Sequence, residues 1–267
     1  MQKDFLSKLL MALAALSYGC QAVAASADSD EKTDPTATVI AVGIGVERTP
    51  SWLGAATHKT NPVPYLDIRW RDQVEFSTVD GLSIDLLHGE PWHGGLVGTV
   101  IWNRSKSDLG VLANRVNTLN NTVQAGTYLE YALSQNWSVG ARWRHDLQGT
   151  GAAYGDVYTE LDLTGPGPVT HSFKLNALAT NGAAMRRFFG VSTEVGTAIG
   201  TPAYQPGGGF STLSATYQVF LPVSKHAGLS LAADWSRLTG AAAQSPLVQN
   251  FGSRNQRSVV ITAIYQF

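Results

Sequence analysis

The chain has 267 residues, 44% of them hydrophobic and only 15% charged, with 27 Gly and a formal net charge of -1. A charged fraction below the roughly 25% of soluble domains, split as 19 Lys and Arg against 20 Asp and Glu with no basic cluster, excludes the electrostatic footprint of a nucleic-acid binder. The single Cys, Cys20, falls within the first 25 residues, so the rest of the chain has no disulfide and no Cys-based metal site.

Residues 1–24 read as a cleaved secretory signal peptide. Lys3 and Lys8 precede an apolar run over 9–16, and Ala22, Val23 and Ala24 supply a small-residue cleavage site. That run is too short to cross a bilayer as a helix. Acylation of Cys20 is disfavoured, because Ser17 stands where a lipoprotein signal needs a Leu-like residue. Residues 25–38 form a polar leader, expected in the periplasm.

From 39 to 267 the dominant pattern is period-two alternation, in segments of about ten residues parted by Gly, Pro, Asn and Asp. The alternation is weaker over 39–47, 64–70, 73–78, 82–87, 95–104, 171–179 and 229–236. It is clear over 123–133, 137–146, 156–163, 213–221 and 259–267. In 123–133, for example, Val123, Thr127, Leu129 and Leu133 share one face while Gln124, Tyr128 and Glu130 share the other. These segments predict an all-β fold, a single antiparallel transmembrane β-barrel over 39–267 with about twelve strands, ten being the alternative. Only closure lets strands pair every backbone group inside hydrocarbon.

The connections support an outer-membrane barrel. The long ones, 48–63, 105–121, 180–210 and 237–257, are all odd-numbered and expected outside. The even ones, near 71–72, 88–94, 135–136, 165–170 and 222–228, are short and expected in the periplasm. Trp70, Trp102, Trp137, Trp235, Tyr265 and Phe267 sit near strand ends, where aromatic girdles form. The last strand, carrying Tyr265 and ending in Phe267, resembles the terminal signal read by the barrel-assembly machinery.

The polar faces of three consecutive strands place Glu130, then Arg142 and Arg144, then Asp156, Glu160 and Asp162 side by side in the lumen. They make either a selectivity lining or an ion-pair network that fills the barrel and holds register, and the latter is favoured in a barrel this small. Catalytic signals are poor. His171 and Ser172, like His145 and Asp146, are adjacent and so point to opposite faces of a strand. His58, His88, His93 and His226 fall in turns. His88 and His93 flank Glu90, but Pro91 leaves no defined ligand geometry. Gly207, Gly208 and Gly209 lack the Lys-Ser/Thr and helix of a phosphate loop. No catalytic residue, metal or cofactor is expected.

Three stretches carry a family resemblance. One is Phe188-Phe189-Gly190-Val191-Ser192 with Pro202-Ala203-Tyr204 and Pro206-Gly207-Gly208-Gly209. The second is Ser245-Pro246-Leu247-Val248 with Gly252-Ser253-Arg254-Asn255-Gln256. The third is Gly43-Ile44-Gly45 leading to Pro62-Val63-Pro64 and Trp70-Arg71-Asp72. Together they resemble the MltA-interacting protein family, MipA/OmpV, over about 40–267. The resemblance implies an outer-membrane protein acting as a non-catalytic scaffold between a lytic transglycosylase (MltA) and a penicillin-binding murein (peptidoglycan) synthase. Porin-like and adhesin roles are the alternatives discussed for the family. Lipid and lipopolysaccharide are the expected surroundings. The segment 51–56 departs from the family, whose members often carry acidic residues there. In the loop before the last strand, either Arg254 and Arg257 hold external loops by pairing with lumen acids or lipopolysaccharide phosphates, or Gly252 and Asn255 shape the loop while Arg254 packs into the barrel mouth, and the latter is favoured.

Overall fold

The computed structural model describes residues 38–267 except 72, 102, 103, 165 and 166. The expected signal peptide and nearly all of the leader therefore lie outside the described residues, as does Trp102. Twelve strands close into one antiparallel barrel. They are β1 (Thr38–Pro50), β2 (His58–Trp70), β3 (Val74–Ser77), β4 (Gly81–Gly89), β5 (Trp92–Ile101), β6 (Thr122–Ser134), β7 (Trp137–Asp146), β8 (Ala153–Thr164), β9 (Thr170–Thr180), β10 (Gly209–Pro222), β11 (Ala227–Leu238) and β12 (Asn255–Gln266). Each strand pairs with its sequence neighbours, and β12 returns to β1 from Ala41 opposite Gln266 to Arg48 opposite Val259.

The alternation sorts the side chains as closure requires. Val157, Leu161, Leu213, Leu221, Leu229, Val259 and Ile261 face outward and are exposed, while Gln124, Asp156, Ser172, Lys174, Gln218 and Thr262 are buried inside. An exposed apolar belt around a polar interior is the inverse of a soluble sandwich, and it identifies a membrane-spanning barrel. Aromatic residues ring both ends of the belt. Trp70, Trp92, Trp137, Tyr265 and Phe267 lie toward the short turns, Trp143 and Trp235 toward the long loops, and all are exposed.

The wall is uneven. β3 has four residues while β2 has thirteen, so β2 meets β3 only from Asp67 to Trp70. Beyond that point Thr78 substitutes for a strand, its hydroxyl donating to the Pro64 carbonyl (3.2 Å) and accepting from the Leu66 amide (3.0 Å). Pro62 and Pro64 sit on this free edge, where a missing N–H breaks no ladder.

The long connections are not open loops. Among the described residues they carry five short α-helices, α1 (Lys106–Leu109), α2 (Gly182–Phe189), α3 (Thr193–Ile199), α4 (Gly240–Gln244) and α5 (Pro246–Phe251), and a 3-10 turn over Gly110–Leu112. The helices and the first loop bury two apolar clusters over the barrel mouth. Trp52, Leu109, Leu112, Val191, Ile199 and Leu247 form one; Met185, Phe189, Leu238, Ala242 and Val248 form the other.

Candidate functional site

The lumen network expected on β6–β8 comes together around Tyr158. The β6–β7–β8 register sets Glu130, Gly140 and Tyr158 in one row across three strands. A Cβ at Gly140 would collide with the Tyr158 ring; its absence lets the phenol cross over β7 and donate to Glu130 Oε2 at 2.8 Å. Arg142 and Lys174 lie over the same ring, 5.3 and 4.5 Å from its centroid. Asp156 is shared by two guanidiniums, accepting from Arg144 at 2.7 Å on one oxygen and from Arg142 at 3.0 Å on the other. Glu160 pairs with Lys174 at 2.9 Å, both almost wholly buried. Asp162 stands apart, exposed near the short-turn end and outside these ion pairs. Lys174 was missing from the sequence-derived set. Its signal was the alternation of Ser172, Lys174 and Asn176 against Phe173, Leu175 and Ala177 on β9.

The family-motif residues fasten the loop cap. Ser245 donates to the Phe189 carbonyl at 2.7 Å, tying the α4–α5 junction to the end of α2. Phe189 is buried, and Gly190 passes so close to the Arg186 carbonyl that a Cβ there would clash. Tyr204 donates to the Ala241 carbonyl at 2.8 Å, and its backbone bridges to Val191. Gly252 bridges to Ala55 in the first loop, and the Ser253 amide donates to the Gly54 carbonyl at 2.8 Å. Gln256 completes the join: its Oε1 accepts from the Gly54 amide (3.1 Å), while Nε2 donates to the carbonyls of Ala55 (3.1 Å) and Ser253 (2.7 Å). The Ser253 hydroxyl bonds both the Asn255 carbonyl and its amide, closing the turn into β12.

Two expectations fail: His58, His88 and His93 lie within β2, β4 and β5 rather than in turns, because the strands run further toward the connections than the alternation shows, and the favoured placement of Arg254 does not hold. Arg254 does not pack into the barrel mouth; it is exposed, because Gln256, two residues on, takes the inward position. At the other end, Tyr265 and Phe267 meet edge to face at 5.1 Å, and the Phe267 amide donates to the Ile40 carbonyl.

Two further arginines bind the cap to the barrel. Arg187 on α2 donates to the Asn120 carbonyl at 2.6 Å and lies 3.8 Å from Asp146. Arg104 is 7% exposed and reaches the carbonyls of Phe188 (3.3 Å) and Asn117 (3.1 Å). Burial, aided by the neighbouring Arg187, pulls its guanidinium down to about 10, so it remains a cation at neutral pH. Asp108 accepts from Lys59 at 2.8 Å. Burial pushes this carboxyl up, but hydrogen bonds from Lys59 and Ser105 outweigh it and hold Asp108 below the usual value.

Side chains thus cluster inside the barrel at three heights. Ala41, Tyr65 and Ile264, with Val79 and Phe220, pack an apolar cluster nearer the short turns. The Tyr158 network occupies the middle, and the loop clusters cover the mouth. The neighbouring residues weighed for hydrolysis do separate: His171 faces lipid with its ring nitrogen 2.6 Å from the Tyr217 hydroxyl, while Ser172 is buried inside.

Among solved structures the chain is similar to the "Bacterial polysaccharide outer membrane secretin" at 9% identity, covering 88% of this chain and 99% of that one, TM-score 0.43. It is also similar to the outer membrane channel DcaP of Acinetobacter baumannii (8% identity, 86% and 96% covered, TM-score 0.42). The COG4313 outer membrane channel from Pseudomonas putida F1 is another likeness (7% identity, 90% and 99% covered, TM-score 0.41). At such scores none of these barrels informs the reading of individual residues here. No curated protein matches the sequence. The family described as MltA-interacting protein MipA matches residues 42–267, nearly the whole barrel, and the chain belongs to that family.

Proposed function

We propose that this protein is a non-catalytic outer-membrane barrel that serves as a scaffold for murein synthesis and remodelling. The observation that carries the reading is the side-chain clusters at three heights of the lumen: a barrel crowded by its own side chains is better suited to holding partners than to passing solutes. The charged set of Glu130, Arg142, Arg144, Asp156 and Glu160 then fills the barrel and fixes its register.

The partners follow from the family description, which names MltA as what those proteins interact with. A lytic transglycosylase of that type, and with it a penicillin-binding murein synthase, is the expected company. Residues 1–24 act as the export signal, and the leader 25–38 with the short turns faces the periplasm, where such enzymes work. The apolar belt meets lipid, and the long-loop end meets lipopolysaccharide. The separation of His171 from Ser172 across the wall supports the absence of acyl-transfer chemistry at that pair.

The test has two arms. Refolded mature protein in liposomes is expected to give no more swelling with sugars of graded size than empty liposomes do. Immobilised on beads, it is expected to retain an MltA-type transglycosylase. Size-dependent swelling would replace the closed lumen with a small-solute channel, and failure to retain either murein enzyme would end the scaffold reading.

A further inference from the structure

Between the loop cap and the Arg144–Asp156 pair the barrel encloses a chamber of about 240 Å³. Its charges are arranged by the topology. In a closed sheet of twelve strands, β12 and its neighbours β11 and β1 lie across the lumen from β5, β6 and β7. On the β11–β12–β1 side the chamber is lined by Asp234 and Glu47. Both carboxylates take hydrogen bonds from neutral groups, Asp234 from Thr216 (3.0 Å) and Glu47 from Asn61 (3.1 Å). On the β5–β7 side it is lined by Arg144 and by Arg104, three positions after the last residue of β5. Arg144 is paired with Asp156, which it shares with Arg142, and Lys59, beside Glu47, is paired with Asp108. Among the described residues Arg104 bonds only backbone carbonyls, its Nε has no partner, and no carboxylate lies within ion-pair distance of it.

A buried cation held by carbonyl dipoles alone, opposite one buried carboxylate (Glu47) and one half-buried carboxylate (Asp234) held by neutral donors, leaves both kinds of charge without a direct ion pair among the described residues. Such groups are retained at a cost unless something pairs with them. The roof between the two walls is apolar and aromatic, with Trp52, Phe188 and Phe189 among its residues. Leu53 in the first loop also lines the chamber and is 41% exposed, which marks where the chamber reaches the surface.

We propose that this chamber binds a small apolar zwitterion, a free amino acid or a dipeptide with unblocked termini. Its carboxylate pairs with Arg104, its ammonium with Asp234 and Glu47, and its side chain lies under the aromatic roof. The volume sets the upper size, since it falls just under the roughly 300 Å³ at which drug-sized sites begin. Neither a fatty acid nor a simple cation satisfies both walls. The inference does not depend on the scaffold reading, because a closed barrel can hold a ligand whether or not it recruits enzymes.

The probe is alanyl-phenylalanine, titrated by calorimetry into the refolded full barrel and compared with its N-acetyl and its C-terminal amide forms. Each blocked form is expected to bind at least tenfold more weakly than the free dipeptide. Arg104→Gln should erase the penalty for the amide and keep that for the acetyl group; Asp234→Asn should do the reverse. Should Arg104→Gln fail to migrate as a folded barrel, Ser236→Phe, which fills the chamber from β11, must abolish binding while heat-modifiable migration persists. Equal binding of all three forms, no binding of any, or undiminished binding to the Ser236→Phe protein would overturn the proposal.

Discussion

Gln256 is the fastener whose removal can be followed most directly. Replacing it with Ala strips the Gly54 amide of its acceptor and the Ala55 carbonyl of its donor, in a loop where Ala55 is 1% exposed. A buried polar group left without a partner costs about 1–3 kcal/mol, so two of them, partly relieved by water entering from the loop side, come to about 2–4 kcal/mol. At 1.4 kcal/mol per tenfold, the join between the first loop and the β12 entrance should open roughly thirty to a thousand times more often. Hydrogen exchange by mass spectrometry on refolded protein reads this, with peptides covering 50–57 and 252–257 exchanging faster by that factor. The strands of the wall should be unchanged, because the barrel ladder does not run through Gln256's side chain. Unaltered exchange in both loops, or equal loosening of β6–β9, would refute the assignment of Gln256 as a local clasp.

Gly140→Ala should displace the Tyr158 ring from Glu130 and cost about 1–3 kcal/mol in urea unfolding, the range for overpacking. Adding Tyr158→Phe to it should cost less than Tyr158→Phe alone, and strict additivity would count against the row across β7. Asp156→Asn removes the anion shared by Arg142 and Arg144 and should lower stability by about 3–5 kcal/mol, seen as heat-modifiable migration lost at lower temperature. A melting transition within error of the parent would show that the two guanidiniums do not depend on Asp156. Because Asp108 is held below its usual 3.8, its contribution to docking α1 is present above that pH and lost as pH falls further. Amide exchange over 105–112, corrected for intrinsic rates, should stay slow at pH 5 and rise only below about pH 4; loosening already between pH 6 and 5 would contradict the sign.

All twelve strands were legible as alternation, because a wall between lipid and a filled lumen imposes opposite chemistry on successive residues. Their ends were less so. β2 begins at His58 inside what read as a loop, and β10 at Gly209, because Pro62, Pro64, Gly209 and Thr212 break the apolar pattern without breaking the ladder. The cap helices were missed for a different reason: four to eight residues give no room for a 3.6 period. Their caps were in the text nonetheless. Asn181 accepts from the Ala184 amide, Ser192 from Val195, and Ser105 forms a capping box with Asp108. Arg254 misled because an arginine beside a glycine turn says nothing about which of two neighbours points inward. The chamber was beyond reach, since Asp234 and Arg104 are 130 positions apart and face each other only after the sheet has closed.

The four-residue β3 bears on how the strand number is kept. Without the β3–β4 hairpin, β2 and β5 would be antiparallel neighbours, and the remaining strands would form a ten-stranded tube. Zipping β2 onto β5 in that way needs amide donors along the free edge of β2, the side toward which the Leu66 N–H and the Pro64 carbonyl point. Positions 62 and 64 share that edge, and proline offers no donor at either. A proline pair at one seam thus disfavours the smaller tube by withholding two of the donors its ladder would need. Substituting both prolines with valine would restore those donors, and slippage between two barrel sizes would become a route of misassembly for this chain.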